Sequence, residues 1–312
     1  MEQNPIASII ILTKNNSKDI GSCLKGVFDQ ELKWFEVIVI DSGSSDGTVN
    51  IASGFKVRAQ NISPIEFHHG RTRNLGASLA RGRFLVFLAP DAWPVDSTWL
   101  RNLIAPFTDV EVAATYGRQI PKKDANPVER FFLEQIYPKT GRTYSRRDLD
   151  EGNPERIVLL SDVCSALRKD VWERLRFDEK IIMSEDQEIA RRILKQGWTI
   201  AYEPKCRVYH SHNYSLADVF RRYFDSGESM TDILKSTVRP SRSIAYAFSL
   251  LKGSVIFILR SHVEKKLHWV IYSLAYNFLK VLGFMCGTRK RFVPSFLLDR
   301  LSHTRYRISL NR

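Results

Sequence analysis

Four short stretches of the chain set chemically capable side chains where chemistry can use them. In VIVIDSGSSDGT, residues 37–48, Asp41 closes an apolar run and is followed by small residues that let the backbone wrap closely round a ligand. A carboxylate there accepts the N3–H of a uracil or thymine ring, which purines do not present in that form, while Ser42, Ser44 and backbone amides approach a ribose. The same carboxylate would also cap the turn that follows, and Asp46 is expected to cap a helix starting near Thr48. In FLAPDAWP, residues 87–94, Asp91 comes just after a second apolar run, where it either holds a divalent cation or caps the turn before Trp93 and Pro94. SEDQEIARRILKQGW, residues 184–198, opens on Glu185, Asp186 and Glu188 at a helix N-terminus. Capping and the helix dipole account for acids in that place without any catalysis. In VYHSHNYS, residues 208–215, His210 and His212 lie two apart in a segment that reads as extended, and only one of them is expected to reach a shared ligand.

The elements that carry these residues follow from hydropathy. Residues 8–12, 36–40 and 84–88 are apolar runs of strand length, and 17–29 and 71–80 read as helices between them. That alternation predicts an α/β fold, a mostly parallel sheet flanked by helices, with ligands at the carboxyl ends of the strands. A second group comprises a strand at 157–160, a helix at 184–196 closed by Gly197, and an extended segment at 199–203 before Pro204. Residues 138–154 are polar and rich in Gly, Arg and Asp, as expected of a mobile surface loop that would suit a lid.

With 312 residues and 44% apolar content the chain can bury a full core, so disordered and fibrous classes are excluded. Its net charge of +13 is not spread evenly. From Lys235 onward there are 15 Lys and Arg against only Glu264 and Asp299, so residues 1–234 are neutral and the tail holds the excess. The expected division is therefore a catalytic-type domain over 1–234 and a basic amphipathic helical tail over 235–312. Two apolar stretches of the tail, 244–259 and 267–286, are interrupted by Lys252 and Lys280, which suits helices lying in a membrane interface with snorkelling lysines better than spanning helices. An amphipathic subdomain packed on the core is the competing account. A nucleic-acid partner is not expected, since the basic excess lies beside apolar helices with no interleaved stacking aromatics. The four scattered cysteines suit buried thiols, and the N-terminus lacks the pattern of a signal peptide, so a cytoplasmic, peripheral location on the inner face of the membrane is expected.

Taken together, SIIILTKN at 8–15, the Asp41 segment, and the HG-x-TRN-x-GA and FL-x-x-DA-x-P forms of residues 69–94 resemble the family-2 glycosyltransferases of the GT-A fold, in particular their bacterial rhamnosyltransferase branch. The resemblance covers roughly residues 8–225. It implies an inverting transfer in which Thr13, Asn15, Asp41, Ser44, Arg73 and Asp91 bind the nucleotide. Asp91 takes the last position of the family's DxD pattern, while Ala89 departs from its first. His210 joins Asp91 as a ligand of Mn²⁺ or Mg²⁺, which neutralises the diphosphate leaving group. Asp186, second acid of the family's acidic pair, is implied as the general base. Glu185 and His212 are expected to meet the acceptor. The implied donor is dTDP-L-rhamnose, with a UDP-sugar as the alternative, and the implied acceptor is a hydroxyl of a cell-surface or lipid-linked glycan. A non-catalytic relative would fit the loss at Ala89, but Asp91, Asp186 and His210 are all retained.

Overall fold

A computed structural model describes residues 4–150, 159–234 and 240–304. In chain order the strands are β1 (Ala7–Thr13), β2 (Phe35–Asp41), β3 (Arg58–Asn61), β4 (Phe84–Leu88), β5 (Trp93–Pro94), β6 (Val112–Ile120), β7 (Arg142–Tyr144), β8 (Cys164–Arg168) and β9 (Thr199–Tyr209). The helices are α1 (Ile20–Phe28), α2 (Thr48–Ser53), α3 (His69–Leu79), α4 (Trp99–Ile104), α5 (Pro127–Ile136), α6 (Arg147–Asp150), α7 (Lys169–Leu175), α8 (Glu185–Lys195), α9 (Leu216–Leu234), α10 (Pro240–Arg260), α11 (Lys266–Gly287) and α12 (Ser295–Leu301). Two compact units result. The first comprises Met1–Lys122, Tyr137–Lys180 and Glu185–His210, and the second Lys123–Ile136, Ile181–Ser184 and Ser211–Arg312. The helical unit thus takes in α5 and α9, which precede residue 235.

The first unit is built on one sheet with strand order β3-β2-β1-β4-β8-β6-β9-β5, and β7 pairs with β9. From β3 to β4 the sheet is parallel, as the alternation of runs predicts, and beyond β4 it is mixed because β8 runs antiparallel to both β4 and β6. Both faces of β1 and β4 are covered, which is why their sequences read as unbroken apolar runs and not as an alternation. Ile9, Ile10 and Ile11 are fully buried, and at about 2 kcal/mol each they hold β1 firmly in place. Parallel register then sets Thr13 beside Asp41 at the carboxyl ends of β1 and β2.

Three sequence expectations change here. Pro204 does not end the last strand: β9 continues to Tyr209, and a register shift against β6 bulges out the residues around the proline, which has no N–H to give the ladder. The segment at 138–154 is tied to the sheet by β7, whose Tyr144 is buried and stacks near Tyr116. Its last residues, and the first two of the strand expected at 157–160, lie outside the described residues, and 159–160 form no strand. All four cysteines are free, and three are buried.

The second unit gathers Val128, Phe131 and Phe132 of α5 with Val219, Ile258 and Tyr276 from the later helices. Ser254 and Ser273 join α10 to α11 at 2.7 Å. Among the described residues, α11 is the one helix long and apolar enough to cross a membrane by length and composition. Lys280 does not snorkel from it. Its ammonium instead sits 4.2 Å from the ring centre of Phe132 and 4.8 Å from that of Tyr223.

Candidate active site

The ends of β1 and β2 are stitched into one loop system by side chains on backbone amides. Asp41 Oδ2 accepts the N–H groups of Gly43 and Ser44 at 2.9 and 2.8 Å, and its Oδ1 accepts the Ser44 hydroxyl at 2.5 Å. Ser44 Oγ in turn accepts the Asn15 N–H at 2.8 Å, and Asn15 Oδ1 accepts that of Ser45 at 2.9 Å. Asn15 adopts a left-handed backbone with φ 51°, a conformation asparagine tolerates well. Thr13, Asn15, Asp41 and Ser44 are thus brought together as expected, with Asp41 acting as the capping group of its own turn. Asp46 caps α2 through the Thr48 N–H and hydroxyl, and these bonds with that from Ser17 hold its carboxyl far below the usual range.

Asp91 follows β4 in a turn closed by the Ala92 N–H donating to Ala89 O. His210, the first residue after β9, is buried and anchored by its N–H on Ile120 O. Its ring Nε2 lies 3.6 Å from Asp91 Oδ1. On the other side its Nδ1 is 2.8 Å from Gln119 Oε1, while Gln119 Nε2 donates to Tyr137 and Ser161. That network assigns the proton to Nδ1 and turns the Nε2 lone pair toward the carboxylate. A lone pair and an anionic oxygen facing one another fit a divalent cation between them, and an imidazole in the set favours Mn²⁺ over Mg²⁺. Because β9 stops at Tyr209, His212 is not on an extended strand. It belongs to the second unit, where its N–H donates to Glu129 and its ring stacks on Tyr214.

The third group is an acidic cluster around one guanidinium. Arg73 Nη1 is 2.5 Å from Glu185 Oε1, and its Nε is 2.8 Å from Asp162 Oδ2. Arg73 is brought there by α3, which approaches so closely that a Cβ on Gly70 would come within 2.2 Å of Asp178 O. Next to it, Asn74 bonds the backbone of Phe177 with both its amide groups and takes the Trp172 indole N–H at 3.0 Å. Asp186 opens α8 beside Glu185, accepting the Gln187 N–H at 2.7 Å and that of Asp162 at 3.3 Å. Glu185 and Asp162 are each 4% exposed, whereas Asp186 is only half-buried. Burial first, then the charges of Asp162 and Glu185, pushes the Asp186 carboxyl up to about 7. Burial likewise pushes Asp162 up to about 6 despite Arg73. In Glu185 burial acts in the same sense, but Arg73 and His69 outweigh it and leave the group below its ordinary range.

Sequence reasoning missed Gln119 and Asp162. Each had a signal, a polar side chain inside an otherwise apolar stretch, VAATYGRQI and LLSDVCSAL, which demands a buried partner. It also read Arg73 as a nucleotide contact, while the structure engages that guanidinium with two buried carboxylates.

The family profile of glycosyl transferase family 2 matches residues 8–176. Over 292 residues the chain is 32% identical to the O-antigen chain rhamnosyltransferase RfbN of Salmonella typhimurium, spanning 92% of this chain and 91% of that one. With the O-antigen chain rhamnosyltransferase WbaN of Salmonella anatum it shares 34% identity over 263 residues, 83% of this chain and 81% of the relative. In fold it is similar to the mannosyltransferase PcManGT of Pyrobaculum calidifontis, solved with GDP-Man and Mn²⁺, at a TM-score of 0.60 and 14% identity over 94% of this chain and 88% of that one. The motifs, the mixed sheet and these matches agree, and the chain belongs to glycosyl transferase family 2, built on the GT-A fold with a helical C-terminal extension.

Proposed function

We propose that this protein transfers a sugar, with inversion, from a nucleoside diphosphate donor to a hydroxyl of a glycan or lipid-linked acceptor. The observation that carries this reading is the half-buried Asp186 carboxyl, adjusted by burial and by neighbouring carboxylates to titrate near neutrality. A base of that kind is mostly ionised just above pH 7 yet basic enough to take the acceptor proton as its oxygen attacks the anomeric carbon from the face opposite the diphosphate. Arg73 and Glu185 act through Asp186: the buried pair fixes the start of α8, and the negative charge of Glu185 helps keep the base strong. His212 is proposed as an acceptor contact. Asp91 and His210 would hold a divalent cation, which when bound supplies positive charge to the leaving diphosphate. Asp41, with Thr13, Asn15 and Ser44, serves the base and ribose.

The names of RfbN and WbaN, similar along most of both chains, support rhamnose as the sugar, and the donor we propose for it is dTDP-L-rhamnose. A UDP-sugar is the second reading, which Asp41 admits because it suits uracil and thymine equally. A peripheral position on the inner membrane face is proposed from the apolar, basic helices of the second unit. Incubating the purified protein with a panel of sugar nucleotides and measuring released nucleoside diphosphate tests the reading. Turnover with dTDP-rhamnose or with UDP-sugars selects between the two donors, and turnover with purine nucleotides alone would contradict the role of Asp41.

A further inference from the structure

We propose that one face of α11 is a docking surface for an anionic bilayer, lying in the plane of the membrane and not crossing it. This deepens the membrane reading above and rests on it. Leu267, Ile271, Leu274, Phe278 and Leu282 are between 39% and 74% exposed, although large apolar side chains are ordinarily covered when they cluster. They recur at steps of three or four residues and therefore form a single stripe along the helix. No charge interrupts the stripe, since Lys280, the one charged residue within its span, is turned inward onto Phe132 and Tyr223.

The opposite face of α11 cannot be released at small cost. A Cβ on Gly283 would come within 2.4 Å of Phe220 O, one on Gly287 within 2.0 Å of Phe224 O, and one on Gly227 of α9 within 2.2 Å of Phe284 O. The two backbones touch along this seam. α9 carries Arg221, Arg222, Asp225, Glu228 and Asp232, so taking α11 through hydrocarbon would either drag these charges with it or break the seam. Length and apolarity alone would permit crossing, but this packing leaves only the outer stripe for lipid.

Charge selects the occupant. Lys265 and Lys266 are exposed where the helix begins, and Arg289 and Arg291 are exposed just beyond its end. Anionic headgroups would meet cations at both ends of the stripe, whereas a second copy of this chain would bring like charges together.

The test uses the full chain with vesicles of phosphatidylcholine, with and without phosphatidylglycerol. Wild type is expected to sediment with the phosphatidylglycerol vesicles at low salt, to be released by high salt, and to be extracted by alkaline carbonate. Ile271→Ser combined with Phe278→Ser is expected to weaken partition roughly tenfold or more while leaving the helical circular dichroism unchanged. Lys265→Gln with Lys266→Gln is expected to weaken binding only where phosphatidylglycerol is present. Donor binding by calorimetry is expected to stay the same in every variant, so failure of this inference leaves the transferase reading standing, while a wild type that binds no sugar nucleotide would count against that reading alone. Wild type that stays in the supernatant, or serine variants that sediment like wild type, would overturn the inference. So would resistance to carbonate, which means crossing, or a lipid-free dimer that the serine variants convert to monomer, which means self-association.

Discussion

His210 Nε2 faces Asp91 Oδ1 across 3.6 Å, and the far nitrogen of the same ring is fixed by Gln119 at 2.8 Å. One glutamine therefore sets the tautomer that turns a lone pair toward the carboxylate, an arrangement that suits a cation held between them. Asp91→Ala and His210→Ala are expected to weaken binding of nucleoside diphosphate in Mn²⁺, with free nucleoside bound almost as before, because the ion joins protein to diphosphate and not to base. Gln119→Leu is expected to lower Mn²⁺ affinity by roughly 10- to 100-fold, and Gln119→Glu, which still accepts from Nδ1, to restore it. Titration of Mn²⁺ by electron paramagnetic resonance reads this directly. Equal Mn²⁺ affinity in wild type and Gln119→Leu would remove Gln119 from the site.

Arg73 gives a second prediction, because its two partners are buried and would be left as unpaired charges without it. Arg73→Met is expected to cost on the order of 3–5 kcal/mol of stability, seen in urea unfolding followed by fluorescence. A near-normal unfolding midpoint with donor affinity reduced would instead make Arg73 a direct nucleotide contact.

The third concerns pH and stability. The folded-state value for Asp186, about 7, lies above its ordinary 3.8, so between the two the folded protein holds more of this proton than the unfolded chain does. Stability from this group is therefore full below the lower value and lost as pH rises through the upper one. Asp186→Asn removes the cost of a buried charge and is expected to raise Tm above pH 7 while changing it little near pH 4. Differential scanning calorimetry at both pH values checks this, and a Tm lowered by the substitution at high pH would contradict the sign. By the same logic wild-type kcat/KM is expected to fall as pH drops through about 7, where Asp186 becomes protonated.

Much of this was legible in the sequence because parallel strands buried on both faces leave unmistakable apolar runs, and the ends of those runs identify Asp41 and Asp91. Glu185 and Asp186 were equally visible at the start of α8. What periodicity does not encode is which distant carboxylates share one cation. Asp162 and Glu185 meet Arg73 only because Gly70 and Asn74 fasten α3 onto the segment around Phe177 and Asp178. His210 was reached through the family resemblance and not through periodicity, for a different reason. The proline bulge in β9 shifts its register against β6, so simple alternation along the strand fails just before the residue that matters.

The central claim is that Asp186 takes the acceptor proton. It is tested most directly by the turnover of Asp186→Asn at saturating donor and acceptor, measured beside the donor Kd. The account predicts a fall in kcat of roughly 10²-fold or more with donor affinity nearly unchanged, since a general base contributes on that scale. Near-normal turnover in this variant, or a loss that proves to be entirely in donor binding, would contradict it.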